Sequence, residues 1–210
     1  MWFKLVFLIV IVLIFIYYPS TKMTTLDKVL AEINLDTKFA PQYNVWCSNG
    51  EATYNKRTKV STSHCSCFVS YICKKLNIVI PSPPEYSQYH LATKQLKWLN
   101  TQIAKEHGWE KINQNIPDVY YEAIRLANKG HLVLVGIKQT HYTNGHISVV
   151  RPSSKLSYFI QHDGPDVITA GTINSYSMSM KEDFKLDILD LKVPINLYDK
   201  LEFYYNTKNL

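Results

Sequence analysis

An apolar stripe between residues 65 and 76 constrains the fold more than any other stretch of this chain. Six apolar side chains recur there with helical spacing, at i, i+3, i+4, i+7, i+8 and i+11: Cys65, Phe68, Val69, Ile72, Cys73 and Leu76. Three Ser/Thr residues at 61–63 precede the stripe and can accept hydrogen bonds from the N–H groups of a helix start. The pattern predicts an amphipathic helix that begins near Cys65 and buries one face.

Cys65 would lie in the first turn of this helix, on the face that turns inward. The positive end of the helix dipole and the backbone donors at that position favour a thiolate over a thiol. Most free cysteines are buried small hydrophobic residues, which suits Cys73 deep in the helix better than it suits Cys65. Cys65 is therefore the candidate nucleophile.

A histidine opens an extended segment much later in the chain, in the sequence NGHISVVRP at 144–152. Gly145 leaves space beside the ring of His146. A cysteine attacks an amide carbonyl as its thiolate, and a neighbouring imidazole can hold that thiolate and later protonate the leaving amine. Such partners meet in the fold rather than in the sequence, so their separation along the chain is no obstacle to a catalytic pair of Cys65 and His146.

The two motifs resemble those of known cell-wall hydrolases. HCSCFV at 64–69 resembles the Asp-Cys-Ser-Gly-Phe-Val signature of NlpC-type endopeptidases and the Cys-Thr-x-Phe-Val start of CHAP-type amidases, with His64 and Cys67 replacing Asp and Gly. GHISVV at 145–150 is similar to the strand that carries the catalytic histidine in both families. The resemblance implies a papain-like cysteine hydrolase that cuts an amide bond of peptidoglycan, in the stem peptide or at the peptide–sugar junction.

A third polar group should accept a hydrogen bond from the other imidazole nitrogen and fix the tautomer. The resemblance implies that this group lies on a later strand, and two alignments compete. If the strand is 157–162, the position is Gln161, with Asp163 on the same face. If the strand is 165–171, the position is Thr169, which is a poor orienting group. Gln161 is the preferred prediction.

The order of predicted elements is helices first and strands afterwards. Helices are predicted at 25–33, 65–76, 86–99 and 117–130, and strands at 131–138, 146–151, 157–162, 167–170, 187–193 and 201–205. Residues 41–62 have the composition of a loop. This order predicts an α+β fold with an antiparallel sheet, and residues 24–210 have the length of one domain with a sizeable core.

Residues 5–18 are all apolar, which is short for a membrane-spanning helix and typical of a signal-peptide core. No small-x-small cleavage site follows them. We therefore expect an uncleaved signal anchor at 1–23, with residues 2–18 in the bilayer and the catalytic domain outside the cytoplasm. Cleavage of this segment would instead give a secreted enzyme.

The formal net charge is +6, and the Lys and Arg residues are scattered along the chain. A scattered distribution does not indicate a nucleic-acid interface. It suits a protein that acts on an anionic polymer or beside an anionic membrane.

Three other interpretations compete with the cysteine hydrolase, which itself needs no cofactor. A zinc hydrolase can be drawn from His141, His146 and His162, but neither His-Glu-x-x-His nor paired Cys-x-x-Cys motifs occur. The four cysteines can form a disulfide-stabilised domain, for instance through Cys47 with Cys67 or Cys73. A membrane-tethered binding module without catalysis is the third.

Overall fold

The computed structural model describes residues 24–41, 43–47, 51–57, 64–139, 145–188, 200–208 and 210. The expected anchor at 1–23 and His141 lie outside these residues. Within the described ranges, no helix is long and apolar enough to cross a membrane.

The helices and strands alternate along the chain. The helices are α1 Thr25–Glu32, α2 Leu35–Lys38, α3 Cys65–Lys75, α4 Leu91–Trp98, α5 Gln102–Glu106, α6 Asp118–Asn128, α7 Ser157–Asp163 and α8 Met180–Ile188. The strands are β1 Tyr43–Trp46, β2 Glu51–Arg57, β3 Trp109–Lys111, β4 Val133–Ile137, β5 His146–Val150, β6 Asp166–Ala170, β7 Asn174–Ser179 and β8 Glu202–Asn206.

Within the described residues, six strands form one antiparallel sheet in the order β3-β8-β4-β5-β6-β7, and β1 and β2 form a separate antiparallel pair. The α+β class and the antiparallel sheet are therefore confirmed. We name the two ends of the sheet by the residues of β5: the His146 end, where β5 begins and β6 finishes, and the Arg151 end, where β5 finishes and β6 begins.

Helices cover both faces of the sheet, so the central strands β4 and β5 are buried on both sides. Ile147 and Val149 pack into the core formed with α1, α3 and α4, which we call the α3 face. Val135, Ile137 and Val150 pack into the core formed with α6, α7 and α8, which we call the α8 face. This alternation follows from the two-residue period of a strand.

Helix α3 has the bounds and the buried face that its spacing predicts. Phe68, Val69 and Ile72 are all fully buried on the α3 face. The backbone N–H of His64 donates to the carbonyl oxygen of Ala170 at 2.8 Å, which ties the start of the helix to the end of β6. The first turn of α3 therefore lies at the His146 end of the sheet.

A disulfide joins Cys47 to Cys67, one of the two pairings that the cysteine pattern left open. It links the β1–β2 pair to the first turns of α3. Cys65 and Cys73 are free thiols, and both are buried.

The structure corrects several predicted elements. The predicted strand at 157–162 is helix α7, and β6 is the strand that pairs with β5. Ile160 is the buried apolar residue of this segment, whereas Tyr158 and Phe159 are exposed, which is the burial of a short surface helix with one contact to the core. The predicted loop at 41–62 contains β1 and β2, and residues 187 and 188 of the predicted strand at 187–193 end helix α8.

We expect loss of the Cys47–Cys67 disulfide to lower the free energy of unfolding by about 3 kcal/mol, because the bond closes a loop of 20 residues in the unfolded chain. The double variant Cys47→Ala/Cys67→Ala tests this in chemical denaturation.

The matched control is reduction of both proteins. A reductant should destabilise the wild type by the same amount and leave the double variant unchanged. If the wild-type protein, unfolded without reductant, showed four reactive thiols instead of two, the disulfide would be contradicted.

Candidate active site

His146 is the first residue of β5, and its side chain is 1% exposed. Its Nε2 lies 3.1 Å from each carboxylate oxygen of Asp183, which projects from the first turn of α8. The edge of the imidazole also packs against Phe184, with ring centroids 4.9 Å apart. Because an ionised carboxylate only accepts hydrogen bonds, this contact favours the tautomer with the proton on Nε2.

Two hydroxyl side chains extend the His146–Asp183 pair. Ser148 Oγ donates to Asp183 Oδ2 at 2.6 Å and lies 3.1 Å from His146 Nε2. Thr169 Oγ1 lies 3.2 Å from Ser148 Oγ. Ser148 and Thr169 share the α8 face with His146, and all four side chains are buried. The result is a compact polar network inside an apolar core.

This network does not make Ser148 a nucleophile. In a serine–histidine–aspartate arrangement the hydroxyl and the carboxylate contact opposite nitrogens of the imidazole. Here Ser148 and Asp183 both contact Nε2, and Ser148 is fully buried. The hydroxyl instead helps to hold the Asp183 carboxylate in place.

The structure places Gln161, the preferred third residue, on α7 at the Arg151 end of the sheet, away from His146. Gln161 is exposed on α7, which also carries Asp163, and Asp183 is the residue that contacts the imidazole. The alternative alignment correctly identified β6 as the next strand, but Thr169 reaches the network through Ser148. Asp183 lies on a helix, whereas both alignments placed the orienting group on a strand.

The sequence contains a signal that could have located Asp183. Ser179 and Glu182 have the S-x-x-E spacing of a helix start, and Ser179 Oγ accepts a hydrogen bond from the Glu182 N–H at 3.2 Å. Met180, Asp183 and Phe184 then follow with i, i+3, i+4 spacing, and all three are buried. A carboxylate on the buried face of a predicted helix needs a polar partner.

Cys65 is the first residue of α3 and is buried on the α3 face. Continuing the β5–β6 register places Ala170 opposite Ile147, so the start of α3 lies close to the start of β5. His146 has Ile137 as its cross-strand partner and faces α8. Cys65 and His146 therefore lie at the same end of the sheet, on opposite faces.

The structure describes two of the three histidines of the zinc hypothesis, His146 and His162. His162 is exposed on α7, with its ring centroid 4.6 Å from that of Tyr158, and His146 contacts Asp183. The described part of the chain contains no group of three His, Cys, Asp or Glu side chains able to hold a metal ion.

The second free thiol, Cys73, has a different environment. It lies near the end of α3, and complete burial raises the pKa of its thiol. Cys73 is therefore protonated at neutral pH and provides an internal reference for the reactivity of Cys65.

No protein-family model matches this chain, and no curated protein matches it.

We expect Asp183→Ala to lower the free energy of unfolding by about 3 kcal/mol, because it removes the hydrogen-bonding partner of a buried imidazole and a buried hydroxyl. Thermal or chemical denaturation of the variant measures this loss.

Lys185→Ala is the matched control, because Lys185 is exposed on the same helix. It should change the stability by no more than about 0.5 kcal/mol. Equal losses in the two variants would mean that the His146–Asp183 contact contributes nothing to stability.

Proposed function

We propose that this protein is a cysteine hydrolase that cuts amide bonds, with Cys65 as the nucleophile and His146 as the acid–base residue. The observation that carries the proposal is the buried His146–Asp183 pair, which lies at the same end of the sheet as the free thiol at the start of α3. Asp183 takes the orienting role that the sequence had assigned to Gln161.

The contact with Asp183 determines which imidazole nitrogen performs the chemistry. With the proton on Nε2, Nδ1 is the nitrogen that accepts the thiol proton. Nδ1 is bonded to Cγ and so lies nearer to the backbone of β5 than Nε2 does. The Cys65 thiolate then attacks the amide carbonyl, and the imidazolium gives its proton to the leaving amine. Water attacks the resulting thioester, releases the acid and restores the thiol.

The start of α3 also supplies electrostatic stabilisation. The first N–H groups of a helix have no acceptor within the helix, and they lie at the positive end of its dipole. A tetrahedral oxyanion formed on Cys65 would develop beside these donors.

Proton transfer requires the imidazole and the thiol to approach each other around the first residue of β5. The strand no longer separates the two faces beyond His146. Gly145 precedes it, and a Cβ atom there would lie 2.5 Å from Thr93 Oγ1 on α4. Only glycine fits this close passage between β5 and α4.

The resemblance of HCSCFV and GHISVV to the cell-wall hydrolases supports peptidoglycan as the substrate. The net charge of +6 favours an anionic polymer. The Cys47–Cys67 disulfide supports a domain outside the cytoplasm, since such bonds persist in oxidising compartments. We propose that residues 1–23 anchor this domain to the membrane.

A binding domain without catalysis is the second candidate. The opposite faces of Cys65 and His146 favour it, because the His146–Asp183 pair then only fastens α8 to the sheet. The two candidates differ in whether the protein turns over a substrate.

We expect the full chain in detergent to release new amino and carboxyl ends from purified peptidoglycan, detected by mass analysis of the fragments. Cys65→Ala and His146→Ala should abolish the release. Asp183→Asn should lower kcat at least about a hundredfold, because the amide has no negative charge and its NH2 group can donate to the imidazole and hold it in the wrong tautomer.

Cys73→Ala is the control, since it removes the other free thiol of the same helix and should keep most of the activity. Circular dichroism verifies that each variant is folded. A folded His146→Ala variant with wild-type activity would refute the Cys–His pair, and a folded but inactive wild type would favour the binding domain.

We also expect a limiting dose of iodoacetamide at mildly acidic pH to label Cys65 before Cys73, because burial raises the pKa of the Cys73 thiol. Cys67 should stay unlabelled, because it is in the disulfide. Peptide mapping locates the label.

His146→Ala should slow the labelling of Cys65 if the imidazole holds the thiolate. Labelling at the same rate in the variant and the wild type would show that His146 does not activate the thiol.

A further inference from the structure

Three large apolar side chains are exposed around the start of α7. The exposed fractions are 68% for Leu156, 66% for Tyr158 and 47% for Phe159. The rings of Tyr158 and Phe159 pack edge-on at 5.4 Å, and the Phe159 N–H donates to the Leu156 carbonyl oxygen at 3.0 Å. The three residues therefore lie within one turn, and we call them the α7 patch. Single exposed apolar residues are common, but a contiguous group of large ones marks a surface that meets a partner.

The α7 patch lies at the Arg151 end of the sheet. Helix α7 connects the end of β5 to the start of β6, and the Arg151 N–H donates to the Asp166 carbonyl at 2.9 Å. Lys155 Nζ reaches Asp166 Oδ1 at 2.9 Å and the Gly164 carbonyl at 3.1 Å. These contacts hold both ends of the α7 segment at this end of the sheet.

The first described residue, Thr24, lies at the same end. A Cβ atom on Gly130, which precedes β4, would be 3.0 Å from Thr24 Cγ2. β4 is antiparallel to β5, so its start is at the Arg151 end. Asp27 of α1 also lines one cleft together with Pro152. The chain therefore enters the domain beside the segment that leads to α7.

The residues before Thr24 limit how far this end can lie from a bilayer. The apolar run finishes at Tyr18, and a fully extended chain from Tyr18 to Thr24 spans at most about 20 Å. An anchor in the bilayer thus holds the Arg151 end close to the lipid headgroups. Leu, Tyr and Phe are residue types that bury favourably at the membrane interface.

Two cationic side chains at this end suit the same partner. Lys129 follows α6 beside Gly130, and Arg151 follows β5, and both are exposed. Cationic side chains near a bilayer are attracted to anionic lipid headgroups.

We propose that the α7 patch is a membrane-contact surface, which inserts its three apolar side chains into the interface of the bilayer that holds the anchor; this rests on the proposed anchor and is independent of the hydrolase. The contact orients the domain. β5 is five residues long, a rise of about 17 Å, and the His146 end then points away from the bilayer, toward a polymer outside it.

Spin labelling of the full chain in phosphatidylcholine–phosphatidylglycerol vesicles tests the proposal. The label is attached to Tyr158→Cys in a Cys65→Ala/Cys73→Ala background. The matched control is Ile173→Cys, since Ile173 is 53% exposed between β6 and β7 at the His146 end. Relaxation by oxygen, which concentrates in lipid, is compared with relaxation by a water-soluble nickel chelate.

We expect the oxygen-to-nickel ratio to be severalfold higher at position 158 than at position 173. Adding Leu156→Ser and Phe159→Ser to the labelled chain should lower the ratio at 158 toward that at 173, while the protein still floats with the vesicles. Flotation measures the anchor separately, and digestion of peptidoglycan by the unlabelled wild-type chain in the same vesicles measures the hydrolase separately.

Equal ratios at the two positions in floating vesicles would overturn the membrane contact. Spin–spin broadening at 158 would assign the patch to a second copy of the chain instead. A label at 158 that loses nickel access only after peptidoglycan fragments are added would assign it to the wall polymer. A chain that does not float with the vesicles would remove the anchor and the inference together.

Discussion

The burial of β5 on both faces is the constraint on which the rest of this structure depends. β5 pairs with β4 and β6, and its side chains alternate between two helical layers. Ile147 and Val149 support the layer that contains α3, while His146, Ser148 and Val150 face the layer that contains α8. A shift of one residue in the register would exchange these sets and put an imidazole against the apolar face of α3.

Three independent contacts position the start of α3 at the His146 end. Phe68 and its neighbours pack on the sheet, and the His64 N–H donates to the carbonyl oxygen of Ala170 at the end of β6. The disulfide joins Cys67 to Cys47, which directly follows β1. A reactive thiol needs this precision, because proton transfer depends on small distances. The same contacts would serve a binding domain equally well, so turnover has to be measured.

The polar network around His146 is costly to bury unless every member has a partner. Asp183 accepts from the imidazole and from Ser148, and Ser148 contacts Thr169. These contacts fasten α8 to the centre of the sheet. In a hydrolase they would also set the tautomer of the base. The proposed membrane contact of the α7 patch would add a direction, with lipid at one end of the sheet and the proposed substrate at the other.

The local sequence was sufficient to predict α3, α6, β4, β5 and the final strand. A helix with one buried face leaves a helical repeat, and a strand buried on both faces leaves a short apolar run. The helical repeat also made Cys65 a candidate, and the resemblance of GHISVV to the cell-wall hydrolases made His146 one. The sequence left the disulfide open between two partners and assigned the orienting role to Gln161, on a short segment that is helical rather than extended. The contact with Asp183 joins residues 37 positions apart and depends on how α8 docks on the sheet. The face that each side chain meets is likewise decided by strand register. Local repeats specify elements, whereas packing between distant elements decides which side chains meet.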